Sequence, residues 1–151
     1  MAIAVWANPL AAQRPAATKR ASPVSAELRL DAIFARVDAF HVGLGATLPA
    51  GNYVRAGIVV AGGFSRDGRS GRIDLVARFH VDPYRESRWA PYGGGGLTTR
   101  YDAGDDAHTY LMLLAGIDGP ARGGLGISGE AALGGGGRIG IVLRRARAER
   151  R

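Results

Sequence analysis

Residues 72–82 read Arg-Ile-Asp-Leu-Val-Ala-Arg-Phe-His-Val-Asp. Ile73, Leu75, Ala77, Phe79 and Val81 share one parity. Arg72, Asp74, Arg78, His80 and Asp82 share the other, with Val76 as the apolar intruder. A period of two sends successive side chains to opposite faces of a β-strand. The alternation recurs along the chain. Run 24–34 sets Ala26, Leu28, Leu30, Ala32 and Phe34 against Ser25, Glu27, Arg29 and Asp31. Its Ala, Glu, Leu and Arg content also suits a helix, but the period favours a strand. Run 39–48 sets Phe40, Val42, Leu44, Ala46 and Leu48 against His41, Gly43, Gly45 and Thr47. Run 53–64 sets Val54, Ala56, Ile58, Val60 and Phe64 against Arg55 and Gly57. Run 124–133 opposes Leu125, Ile127, Ala131 and Leu133 to Ser128 and Glu130, and run 138–143 puts Ile139, Ile141 and Leu143 on one face. Two runs are less regular. Run 89–101 contains Gly93 to Gly96, and run 108–117 is apolar on both faces.

Turn signals separate the runs: Pro49-Ala50-Gly51-Asn52, a hydrophilic loop Ser65–Gly71 around Asp67-Gly68, Asp82–Arg88, Asp102–Asp106, Asp118-Gly119-Pro120 and Gly134–Gly137. Short connections force neighbouring strands to be antiparallel. The expected fold is therefore all-β: an antiparallel up-and-down meander of about eight strands, closed into a barrel that removes its edges. The barrel domain is expected over 24–143. Residues 1–23 read as a signal-like apolar segment, lacking a basic start, followed by a flexible linker. Residues 144–151 read as a basic disordered tail.

Charge sharpens this picture. The chain of 151 residues carries a net charge of +7. The tail holds five Arg and one Glu, while Arg14, Lys19 and Arg20 lie near the other end, so 21–143 balances to zero. A nucleic-acid-binding domain carries its excess on the folded body, so no nucleic-acid partner is expected. There is no Cys, which excludes disulfides, thiol catalysis and Cys-ligated metals.

The polar faces carry both signs with little Lys: Glu27, Arg29, Asp31, Arg55, Arg72, Asp74, Arg78, His80, Arg100, Glu130 and Arg138. Such a face suits an enclosed ionic network, because the planar guanidinium fork satisfies carboxylates bidentately. Aromatics stand near run ends (Phe34, Phe40, Tyr53, Phe64, Tyr84, Trp89, Tyr92, Tyr101 and Tyr110), as in the interfacial girdles of membrane barrels. Runs of about ten residues match a tilted spanning strand. On this pattern, 24–143 resembles the small eight-stranded outer-membrane β-barrel proteins of Gram-negative bacteria. The resemblance implies an apolar face turned to lipid, a plugged polar interior and a structural or binding role. Outer-membrane lipid is then the expected partner, with the tail arginines suited to anionic headgroups. The chain departs from that family in one respect. Its last strand ends at Leu143 and an Arg-rich tail follows, where such barrels end in an aromatic residue. A soluble periplasmic or secreted barrel binding a small apolar ligand therefore remains the alternative.

Candidate chemistry is sparse. His80 shares a face with Asp82 and Arg78, but two ligands do not make a metal site. His108 stands beside Asp102, Asp105 and Asp106 without the spacing of a calcium loop. Gly93–Gly96 lacks the Lys-Ser/Thr of a phosphate loop, and Gly126-Ile127-Ser128-Gly129 is one residue short of a nucleophile elbow. No catalytic, metal or cofactor-binding residue is assigned.

Overall fold

The structure, a computed structural model, describes residues 24–83, 86–104 and 106–145. The signal-like segment and linker, Tyr84, Asp105 and residues 146–151 of the tail lie outside the described residues. Eight strands follow in order: β1 (Ser25–Phe34), β2 (Ala39–Pro49), β3 (Val54–Ser65), β4 (Gly68–His80), β5 (Ala90–Asp102), β6 (His108–Asp118), β7 (Leu125–Leu133) and β8 (Gly137–Arg145). Each pairs antiparallel with the next, and β8 closes on β1. The barrel is all-β and up-and-down, as the alternation predicts.

The ladders fix its stagger. From Leu28, register partners lead through Leu44, Val60, Ile73 and Thr99 to Thr109 on β6. The opposite route runs through Leu143 and Ile127 to Gly119, whose N–H donates to Ile127 O. The two routes meet β6 ten residues apart, from 109 to 119. For eight strands this stagger tilts the strands by roughly 40° and leaves an interior just wide enough for side chains.

Alternation then decides direction. Val42, Leu44, Ile58, Ile73, Leu75 and Phe79 all point outward and are exposed, Leu44 at 68%. The opposite parity points inward, where Arg29, Asp31 and Asp74 are 0% exposed. An apolar interior, the premise of the soluble alternative, is thereby contradicted. Phe34, Phe40, Phe64 and Tyr101 are exposed near one mouth. Tyr53, stacked on Phe79 at 5.8 Å between centroids, and Trp89 are exposed near the other. Tyr53 precedes β3 and Phe64 lies near its end, eleven residues on. At ~3.3 Å per residue and this tilt, they stand roughly 28 Å apart along the axis, close to the ~25 Å height of a membrane barrel's apolar band.

Five details differ from the sequence reading. The loop expected over 65–71 is a two-residue turn, Arg66-Asp67, because Arg69–Gly71 pair with Gly62–Phe64 and simply lengthen the hairpin. Its hydrophilic residues extend a paired strand rather than form a loop. Strand β4 ends at His80, so Asp82 leaves the polar face and its carboxylate accepts from the N–H groups of Glu86 and Ser87. Strand β8 runs two residues past Leu143, and Arg144 is buried inside. Tyr92 is no girdle residue; it is buried in the lumen. Tyr110 lines the mouth facing away from the chain ends.

Close contact between β4 and β5 explains the Gly93–Gly96 run. A Cβ at Gly96 would stand 1.8 Å from Leu75 O, and one at Gly94 would stand 2.0 Å from Ala77 O. Gly96→Ala is expected to cost about 1–3 kcal/mol by overpacking, read as a lower urea midpoint in detergent micelles. Gly129→Ala, with nothing within 4 Å of the added Cβ, should leave that midpoint within about 0.5 kcal/mol of the parent.

Candidate functional site in the barrel lumen

Five arginines and five carboxylates from β1, β4, β6, β7 and β8 meet inside the barrel, each at least nine-tenths buried. Six of them close a ring of alternating sign. Asp31 accepts from Arg29 and Arg72. Arg72 Nε also donates to Asp74 at 3.1 Å. Asp74 accepts from Arg138 at 2.8 Å, Arg138 lies 3.6 Å from Glu130, and Glu130 accepts from Arg29. Thr98 donates to the remaining Asp74 oxygen at 2.6 Å.

A branch leaves the ring at Glu130. Arg78 donates to Glu130 at 3.0 Å and to Glu27 at 2.9 Å. Arg144 donates to Glu27 at 3.2 Å and to Asp118. His80 Nδ1 lies 3.4 Å from Asp118. Tyr92 donates to Glu130 at 3.1 Å, and its ring lies 5.1 Å beneath the Arg144 guanidinium. Positive and negative groups are equal in number here, so no bare charge remains in a space where water cannot screen it.

The small residues of the lumen make room for these groups. A Cβ at Gly140 would stand 1.9 Å from Asp31 Oδ1, and one at Gly116 would stand 2.3 Å from the Tyr92 ring. A compact apolar cluster of Val76, Tyr92, Met112, Leu114 and Ala132 fills the rest. This is why β6 is apolar on both faces: Met112 and Leu114 point inward onto the cluster while Leu111 and Leu113 point outward.

Of the residues expected inside, Glu27, Arg29, Asp31, Arg72, Asp74, Arg78, Glu130 and Arg138 are brought together. His80 joins them through Asp118 rather than through Asp82. Arg55 is half-buried near the mouth shared by the chain ends and donates to Ser25 at 3.2 Å. Arg100 stands at the opposite mouth, on Asp102 at 3.0 Å and on Val37 O at 2.8 Å. Arg144, Asp118 and Tyr92 were not expected there. Parity could have found them: Arg144 is in phase with Arg138, Asp118 with Met112 and Leu114, and Tyr92 with Thr98 and Arg100.

Two arrangements look catalytic and are not competent for it. His41 Nε2 lies 2.5 Å from Ser70 Oγ, both buried. Arg72 lies 3.3 Å from His41 Nδ1 and can only donate. Nδ1 is therefore an acceptor, Nε2 carries the proton, and His41 cannot take a proton from Ser70. A catalytic triad places a carboxylate at that position to set the opposite tautomer. Ser128 donates to Asp118 at 2.5 Å, leaving no nucleophile on His80. His108 Nδ1 donates to Asp106 O at 2.7 Å. Among the described residues, no group of three or more His and carboxylates is placed to hold a metal ion.

At the mouth away from the chain ends, Arg36, Asp67, Arg100, Asp102, His108 and neighbouring residues line a vestibule of about 530 Å³. A hollow of about 410 Å³ beside Glu86, Arg88 and Asp118 opens at the other mouth. Near the vestibule, the void bounded by Arg72, Arg100, Met112 and Arg138 is about 20 Å³, which holds about one water.

The fold is that of the small eight-stranded bacterial outer-membrane barrels. No family model and no curated protein matches the sequence. Among solved structures, the N-terminal β-barrel domain of OprF from Pseudomonas aeruginosa is similar, with a TM-score of 0.63 and 13% identity over 80% of this chain and 96% of that one. The Neisserial surface protein A (NspA) gives 0.60 and 13% over 82% and 96%. A de novo designed transmembrane β-barrel gives 0.59 and 14% over 82% and 95%. At these identities the likeness is one of fold.

Removing one member of the network should strand its partners. Arg78→Leu leaves Glu27 and Glu130 each short of a donor and is expected to destabilise by about 3–5 kcal/mol. Tyr92→Phe removes one donor to Glu130 and should cost about 1–3 kcal/mol. Urea unfolding in micelles checks both; a change under 0.5 kcal/mol for Arg78→Leu would contradict the network's role.

Proposed function

We propose that the protein is an outer-membrane barrel of a Gram-negative bacterium with a structural or binding role and a lumen closed to solutes. The observation that carries this reading is the inversion of the barrel: its outer wall is apolar while its interior is charged. In water, a continuous apolar wall would drive association. In lipid it costs nothing, and the charged groups satisfy one another inside.

The closed lumen follows from the side chains that fill it. The ionic ring and its branch span the interior and link strands on opposite sides of the barrel. The four connections at the mouth away from the chain ends cover 35–38, 66–67, 103–107 and 134–136, so none exceeds five residues. Recognition by long loops is thus not available at that mouth, and binding falls to the wall and the vestibule.

Two experiments test this reading. Purified protein should partition into the detergent phase and insert into phospholipid vesicles; recovery as an aqueous monomer would overturn the membrane assignment. Inserted into planar bilayers, it should show no steady unit conductance above the bare membrane. Persistent open-channel steps would overturn the closed lumen while leaving the membrane assignment intact.

A further inference from the structure

The barrel wall is least extensively paired at one place. The β6–β7 ladder has six pairs, Leu113↔Leu133 to Asp118↔Ser128, while every other ladder is longer. His108–Met112 of β6 therefore outruns the top of β7. Beside this step an apolar groove of about 510 Å³ runs down the outer wall. Phe34, Leu113, Leu133 and Ile139 flank it, and small residues such as Ala115 and Ala131 line it.

The groove ends at a lip made of Gly134, Gly135, Gly136 and Gly137. Gly135 lines the vestibule and Gly137 lines the groove, so the two hollows lie on either side of the same glycine turn. Turn geometry accounts for Gly135 and Gly136, whose φ values are 65° and 136°. It does not account for Gly137. That residue has no positive φ, and a Cβ there would be 3.8 Å from its nearest neighbour. A side chain at 137 would fit the backbone; what it would occupy is the groove.

The vestibule beyond the lip carries both signs of charge. Arg36 and Asp67 both line it, and neither has an ion-pair or hydrogen-bond partner among the described residues. Arg36 follows Phe34 by two residues, so a cation stands close to the top of the groove. We propose that this site holds a zwitterionic phospholipid. Its acyl chain lies in the groove, and its headgroup crosses the glycine lip, with the phosphate toward Arg36 and the ammonium toward Asp67. Charge complementarity selects this occupant: an anionic lipid would leave Asp67 unmatched, and a neutral one would leave both groups unmatched. The proposal rests on the membrane reading.

The test uses the full chain in detergent and 1-palmitoyl-lysophosphatidylethanolamine as probe, with lysophosphatidylglycerol and monopalmitoylglycerol of the same chain length as controls. Vesicle flotation first establishes insertion, so a failure of the membrane reading is seen separately. Native mass spectrometry should then show a one-to-one adduct with the zwitterionic probe, favoured roughly tenfold over either control. Gly137→Phe should abolish the adduct while still inserting. Arg36→Gln with Asp67→Asn should reduce the zwitterionic probe to the level of the neutral one. Equal adducts for all three lipids, preference for the anionic lipid, or an adduct unchanged by Gly137→Phe would each overturn the proposal.

Discussion

Charges enclosed in an eight-stranded barrel have one another and a few neutral hydrogen-bonding side chains for partners. Glu130 accepts from Arg29, Arg78 and Tyr92, and Arg138 stands 3.6 Å away. Arg29 and Arg138 tie Glu130 into the ring that contains Asp31 and Asp74. An isolated buried ion would cost several kcal/mol, and a pair recovers that cost only when its remaining hydrogen bonds are met. The lumen meets most of them by supplying guanidinium and carboxylate groups in equal number and by filling the remaining corners with Thr98, Ser128 and Tyr92. Alternation converts the same requirement into an apolar exterior: if every second residue must face the network, the others must face away.

The outer wall and the lumen are therefore one constraint seen from two sides. A register slip of one residue would send Arg72, Asp74 and Arg78 onto the outer wall and Ile73, Leu75 and Phe79 into the network. The ten-residue stagger brings β4 across from β1 and β8 at a distance that arginine side chains can bridge. Glycine at 116 and 140 then lets Tyr92 and Asp31 take their places. The groove at β6–β7 lies where this pressure is weakest, because Met112, Leu114 and Ala132 face the lumen there and need no charged partner.

Much of this was legible in the sequence. A period of two in six runs gave strands with bounds close to those observed, and short turn signals gave the meander. The polar parity named eight of the ten charged members of the network. What escaped has physical causes. Arg144 sits at the start of an arginine-rich run that reads as solvated, but the pairing of β8 with β1 and β7 carries it inside, where it donates to Glu27, Asp118, Ser128 and Tyr92. Asp118 stands before Gly-Pro and reads as a turn residue. Asp82 looked like a continuation of the strand, but its carboxylate is taken by backbone N–H groups of the following loop. Tyr92 resembled a girdle aromatic because it stands near the start of its run, although it is in phase with Thr98 and Arg100 beyond the four glycines. The glycine lip read only as a turn, since its second role depends on what lies on either side of it in space.

On the proposed membrane reading, Leu44, Leu75 and Ile141 face lipid while the network faces inward. The chain has no cysteine, so single cysteines can be placed at these positions and labelled with an environment-sensitive fluorophore in vesicle-inserted protein. With the wall facing lipid, emission is blue-shifted at all three sites, quenched by brominated acyl chains and insensitive to aqueous iodide. Water-like emission quenched by iodide, with no effect of the brominated lipid, would contradict it.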